Sequence, residues 1–169
     1  MYLNEAKATF TLPELVAGTR EVNVEIDRAA KAQPCPIEGL RAEEAALMKQ
    51  LKWTATVNGN TSVITLYDHA KKEKPTSGLA AMAAAVLSGG QYTDKDTQPV
   101  RVACTCGEYL AVFSAANYAA DAHHGYRPRA ADPRDYGYKN KVVNEGEIPG
   151  MCRHLICLYY HLKRTGRLQ

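Results

Sequence analysis

RVACTCGEYLAVFSAANY, residues Arg101–Tyr118, sets two cysteines one residue apart, and PGMCRHLICLYYHL, Pro149–Leu162, sets a cysteine and a histidine at the same spacing. Val100 and Val102 alternate into Cys104, which predicts a strand that delivers the first pair. Side chains at i and i+2 of a strand share a face, so the sulfurs of Cys104 and Cys106 can meet at one point. In the second stretch, Pro149-Gly150 predicts a turn that aims Cys152. Leu155, Leu158, Tyr159 and Leu162 follow at i, i+3, i+4 and i+7, the spacing of a helix with one apolar face, and His154 falls in its first turn. A structural zinc ion takes four soft or borderline ligands in a tetrahedron, supplied as two short clusters that the fold brings together. Cys104, Cys106, Cys152 and His154 meet that demand in number and type.

Two other arrangements of the same residues are open at this level. His154, Cys157 and His161 lie on one helical face and could bind a metal with a fourth group from elsewhere, although Cys157 reads more simply as a small apolar residue. An exposed Cys104-x-Cys106 without metal could instead form a strained disulfide. The His123-His124 pair before Gly125 reads as a helix C-terminal partner or a solvated pair.

Between the clusters, Leu110, Phe113 and Tyr118 suit a helix, while Tyr109, Ala111 and Phe113 suit a strand; we read a helix. Residues 125–150 are rich in Gly, Pro, Asp and Asn, carry Tyr126, Tyr136 and Tyr138, and read as a long loop.

Upstream, WTATVNGNTSVITLYD is a hairpin by its β-branched and aromatic residues on both sides of Asn58-Gly59-Asn60, with strands near 53–57 and 61–67. Leu40, Ala45, Leu47, Met48 and Leu51 predict one amphipathic helix over 37–51, with Met48 and Leu51 in the core. Val22, Val24 and Ile26 alternate in REVNVEID and predict a strand, preceded by a turn or short helix in TLPELVAG. Prolines on either side of Cys35 mark a connector, and Cys35 a loop thiol. Thr76 or Ser77 is placed to cap a helix through LAAMAAAVL that ends at Gly89-Gly90. The resulting expectation is an α+β protein with a small mixed or antiparallel sheet, three to four helices and a zinc-stapled C-terminal half. Residues 1–36 form a strand-rich N-terminal segment, and residues 37–169 one α+β domain that contains the zinc module, 100–164.

Composition narrows the function classes. A chain of 169 residues with 46% apolar content can bury its own core. No run approaches the roughly 20 apolar residues of a membrane span, and MYLNEAKATF lacks a secretory signal, so a soluble protein made in the cytoplasm is expected. Five cysteines, an odd number, fit a secreted disulfide framework poorly. Glycine-loop, Gly-x-Ser-x-Gly and His-Glu-x-x-His signatures are absent, as are the His-x-Glu and Cys-x-x-Cys of zinc deaminases, and four protein ligands leave a zinc no open position; a non-catalytic role is expected. Residues 126–169 hold nine Lys/Arg against four Asp/Glu. Arg127, Arg129, Arg134, Lys139, Lys141, Arg153, Lys163, Arg164 and Arg167 are therefore candidate phosphate contacts, without an accompanying recognition helix or base-stacking motif.

The order Cys-x-Cys, spacer, Cys-x-His, carried by Cys104, Cys106, Cys152 and His154, resembles SWIM-type zinc fingers. The wider phrasing, VACTCGEYLAVFSAANYA, DYGYKN and NEGEIPGMCRHLICLYYHL, is similar to a subgroup of uncharacterised tailed-bacteriophage proteins whose genes tend to lie among those for virion structure. The resemblance covers residues 100–162. Its spacer, residues 107–151, is longer than in most SWIM fingers, and Gly107-Glu108 stands where Pro-Asp is usual. The resemblance implies a structural Zn2+ and a place in the virion (head, neck, tail or baseplate), reached from the host cytoplasm. It also implies other virion proteins, and copies of this chain, as partners, with nucleic-acid binding as the alternative. Ten tyrosines against two phenylalanines suit such interfaces.

Overall fold

The structure, a computed structural model, describes residues 10–67, 95–128 and 144–168. Its elements are α1 (Leu12–Ala32), β1 (Ile37–Ala45), β2 (Gln50–Val57), β3 (Asn60–Leu66), β4 (Val100–Cys104), a π-helical turn (Tyr109–Phe113) that runs into α2 (Ser114–Ala119), and α3 (Arg153–Arg164). The four strands form one antiparallel sheet in the order β1-β2-β3-β4. The protein is α+β, as expected. The helix expected over 79–87, with its cap at Thr76 or Ser77 and its end at Gly89-Gly90, lies outside the described residues, as do Arg129, Arg134, Lys139, Lys141, Tyr136 and Tyr138 of the loop.

The β2–β3 hairpin follows the sequence closely. Asn58 and Gly59 both take positive φ, 46° and 79°, the conformation a two-residue turn between twisted strands requires. Trp53, Ala55 and Val57 of β2, Ser62, Ile64 and Leu66 of β3, and Val100, Val102 and Cys104 of β4 alternate onto one buried face. α3 lies across that face, touching β2, β3 and β4, and α1 packs on α3 from the other side. The C-terminal helix is thus the middle layer, with Leu155, Ile156, Cys157, Leu158 and Leu162 all buried.

Two expectations are overturned. Residues 22–26 are not a strand, so the N-terminal segment is helical where described. Leu12, Leu15, Val16, Thr19, Ile26 and Ala30 form the buried stripe of α1, and the alternation at Val22, Val24 and Ile26 straddles a kink at Asn23 (φ −160°, ψ 101°). The helix starts at Thr11, whose hydroxyl accepts from Glu14 N while the Glu14 carboxylate accepts from Thr11 N at 2.7 Å, a reciprocal capping box. The buried side of α1 belongs to the same apolar cluster as the sheet.

Residues 37–51 are likewise not a helix. They form β1, a 3-10 turn at Ala46–Met48 with Lys49 left-handed behind it, and the start of β2. Among the described residues β1 pairs with β2 alone, and most of its side chains are exposed, so the apolar spacing that mimicked a helix reports no buried face. Pairing with β2, which includes Glu43 opposite Lys52 and a 2.7 Å ion pair between them, overrides the helical propensity of this Glu- and Ala-rich run. Leu47 and Met48 sit exposed at the hairpin tip rather than in the core, whereas Leu51 packs half-buried against it.

A polar cluster ties α1 to α3. The buried Asp27 carboxylate accepts from Tyr160 Oη (2.7 Å) and Arg20 Nε (2.7 Å) and lies 3.0 Å from Lys31 Nζ. Burial pushes the Asp27 carboxyl up, but the bonds from Tyr160, Arg20 and Lys31 outweigh it and hold the group below its ordinary value. The depressed pKa contributes stability at pH values above the unfolded carboxyl's, near 4, and that contribution is lost as pH falls through the folded value. Asp27→Asn is expected to cost about 2 kcal/mol at pH 7, discounted for the half-exposed Arg20 and Lys31, with the difference from wild type shrinking as pH falls through the folded carboxyl's lowered value. Denaturant melts across that range check it, and a difference that persists unchanged into acid would assign the cost to packing instead.

Candidate metal centre

Cys104 ends β4 on its inner face, opposite Ser62 of β3, whose hydroxyl lies 3.5 Å from the Cys104 sulfur. The chain then turns through Thr105, whose N–H bonds Thr61 O and whose hydroxyl accepts from Thr61 N, so the turn is anchored to the β3 edge on both sides. This places Cys106 at the head of the next helical turn, where its sulfur accepts from Tyr109 N at 3.3 Å. Tyr109 is fully buried; its hydroxyl donates to Val102 O and lies 2.8 Å from His123 Nδ1.

The second cluster arrives on a strap, residues 144–152, whose backbone is held by its own Asn144 and by side chains from α2 and α1. Asn144 accepts from Ile148 N and donates to Ile148 O and Val112 O. Asn117 of α2 donates to Gly150 O and accepts from Gly150 N, both at 2.8 Å. Thr19 of α1 accepts from Met151 N at 2.7 Å. The turn in this segment falls at Glu145-Gly146, closed by Glu147 N on Asn144 O at 3.0 Å, rather than at Pro149-Gly150 as the sequence suggests; the clamped strap then delivers Cys152, fully buried, as the N-cap of α3. Its own side chain makes no capping bond; the α3 N-terminus is capped from a distance by Glu108, whose Oε2 accepts from Arg153 N at 2.8 Å. Burial pushes the Glu108 carboxyl up, against the opposing pull of that N–H and of His154.

The outcome is that the Cys104, Cys106 and Cys152 sulfurs and a ring nitrogen of His154 all lie within 4.8 Å of one another. His154 Nδ1 is 4.0 Å from the Cys104 sulfur. A tetrahedral zinc site with metal–sulfur bonds near 2.3 Å has edges of about 3.8 Å, so the four atoms need to close by only about 1 Å to share an ion. The donor set fits as well. Hydrogen bonding from the neighbouring Cys106 and Cys152 thiols draws the Cys104 thiol well below its ordinary value, against burial. The hydrogen bond that Cys106 gives to Cys104, with burial beside it, pushes Cys106 up to about 12, and burial pushes Cys152 up. Three buried thiols repel a second and third negative charge unless a cation is shared among them, and a divalent metal is what stabilises three thiolates at once. Ser62 and Tyr109 N, as donors to sulfur, and the α3 N-terminus beneath Cys152 support the same charge state.

The sequence-predicted ligands are thus brought together, and the helical alternative is not. Cys157 turns away to the Cys35 sulfur, and among the described residues the Cys104, Cys106, Cys152 and His154 group is the one with metal-ligand proximity. His123 and His124 are half-buried and structural: residues 122–124 bond to Val102, and His124 Nδ1 lies 3.1 Å from Thr65 Oγ1. Burial lowers both imidazoles below their ordinary value. Cys35 is a thiol on the irregular connector between α1 and β1, as expected, and it is buried there. Among the described residues, the candidate phosphate contacts include groups already held by the fold. Arg153 donates to Gln33 O, Lys163 pairs with Asp96 at 2.9 Å, Arg127 lies over the Tyr118 ring, and Arg164 is exposed at the end of α3. Glu108, Asn117, Asn144 and Thr19, which position the ligands, carried no periodic signal; only their polar character at otherwise apolar junctions marks them. No helix among the described residues is long and apolar enough to cross a membrane. Comparison with protein-family models, with curated proteins and with solved structures returns no match for this chain.

Proposed function

We infer that Cys104, Cys106, Cys152 and His154 hold a structural zinc ion and that the chain is a non-catalytic building block of a tailed-phage virion. The observation that carries the first half is the convergence of three sulfurs and one imidazole nitrogen within 4.8 Å at the junction of β4, the π turn and α3. Four protein ligands complete a tetrahedron and leave no position for substrate, which supports a bracing role over a catalytic one. Zinc there would tie the end of the sheet to the N-terminus of the middle helix, two points separated by the long 107–151 segment. Its ligands must be deprotonated, so binding releases protons and weakens as pH falls.

The virion assignment rests on the resemblance over residues 100–162. The exposed β1–β2 tip with Leu47 and Met48, and a chain rich in tyrosine, are compatible with subunit contacts. Nucleic-acid binding is the weaker reading, because Arg153 and Lys163 are already engaged within the fold. Two experiments separate them. An antibody against the chain is expected to label purified, nuclease-treated particles of the phage that encodes it, and particles free of the protein would contradict the assignment. Retention on single- or double-stranded DNA at 50 mM salt, collapsing steeply toward 200 mM, would favour the nucleic-acid reading instead.

A further inference from the structure

Cys35 and Cys157 take no part in the metal centre, yet both are buried, at 9% and 2% exposure, and their sulfurs are 2.7 Å apart. That separation lies well inside the roughly 3.5–4.0 Å of ordinary non-bonded contact. Cys35 N also donates to the Cys157 sulfur at 3.2 Å, so the backbone of the connector is registered on the same atom. Pro34 and Pro36 fix the chain on either side and limit how far Cys35 can turn away. The pair joins the α1–β1 connector to the middle of α3, three residues past His154.

We propose that Cys35 and Cys157 form a disulfide under oxidising conditions, a second staple on α3 that is chemically independent of the metal centre. The oxidant is a low-molecular-weight disulfide such as oxidised glutathione. As the connector opens, the Cys35 thiolate attacks one glutathione sulfur and expels a glutathione thiolate. The Cys157 thiolate then attacks the Cys35 sulfur of the mixed disulfide and expels the second. Two protein thiols are oxidised by two electrons, one glutathione disulfide is reduced to two glutathione molecules, and the two cysteine protons pass to the leaving thiolates. Burial and the neighbouring Cys157 push the Cys35 thiol up to about 12, opposed by the Arg153 guanidinium, so the exchange is slow at neutral pH and quickens as pH rises. The cross-link closes a loop of more than a hundred residues, the class for which loop-closure effects on the unfolded chain are greatest.

The test treats full-length protein, as purified with its metal, with oxidised glutathione at pH 8.5. Unreduced peptide mapping and metal analysis follow. The expected result is a peptide joining Cys35 to Cys157, unchanged metal content, and a thermal midpoint raised by about 10 °C that returns to its starting value with reductant. Cys35→Ser should show no response of the midpoint to oxidant while keeping its metal. Free Cys35 and Cys157 after prolonged oxidation, or a cross-link to Cys104, Cys106 or Cys152 instead, would overturn the proposal. The cross-link is read separately from metal content, so protein without zinc that still joins Cys35 to Cys157 would sink the zinc reading and leave this one standing.

Discussion

Cys152→Ser is expected to purify without zinc and to unfold at a markedly lower temperature. Cys152 is fully buried at the N-cap of the helix that forms the middle layer, so its sulfur anchors the element on which both the sheet and α1 pack. Structural zinc contributes roughly 10–16 kcal/mol in zinc-finger peptides, against a net stability of about 5–15 kcal/mol for a whole domain. Here the sheet and α1 supply apolar burial of their own, so the loss is expected to be partial but above about 5 kcal/mol, a fall of at least about 10 °C in midpoint. Cys104→Ser should behave alike. Calorimetry beside metal analysis reads both effects, and Cys152→Ser protein that keeps its full zinc content would remove Cys152 from the ligand set.

The second large effect is expected far from the cluster in sequence. Gly18→Ala replaces a residue within α1 by the best helix former, a change that local propensity favours by roughly 1 kcal/mol. A Cβ at Gly18 would nevertheless collide with Pro149 O and stand 3.2 Å from Ile148 Cγ2. The strap cannot yield freely, because Asn144, Asn117 and Thr19 hold its backbone at residues 148, 150 and 151. We expect a loss of about 3 kcal/mol or more, together with weaker zinc retention, since the displaced strap is the one that delivers Cys152. Urea melts and competition with a chelator measure the two consequences. Stabilisation by Gly18→Ala would mean that α1 does not approach the strap this closely.

The ease with which each part could be read from the sequence follows from how local its physics is. The β2–β3 hairpin and α3 were legible because turn chemistry at Asn58-Gly59 and the Leu155, Leu158, Leu162 stripe are short-range signals. The ligands were legible because metal chemistry restricts residue types and β4 pleating places Cys104 predictably. Residues 37–51 misled because β1 is largely exposed, so its apolar spacing carried no information about burial. Residues 22–26 misled because their three-residue alternation straddles the kink at Asn23 within a helix that the capping box Thr11-x-x-Glu14 begins. The Asn117 and Thr19 clamps on the strap and the Glu108 cap join residues 33 to 132 positions apart, and no window along the chain reveals such pairs.

The central claim is a metal shared by Cys104, Cys106, Cys152 and His154, and elemental analysis of protein purified without chelator or affinity metal tests it most directly. The account predicts close to one zinc per chain, with Cys104, Cys106 and Cys152 protected from alkylation until a chelator is added. Protein that carries no metal, takes up none when zinc is supplied, and exposes all three thiols to alkylation on the same footing would contradict it.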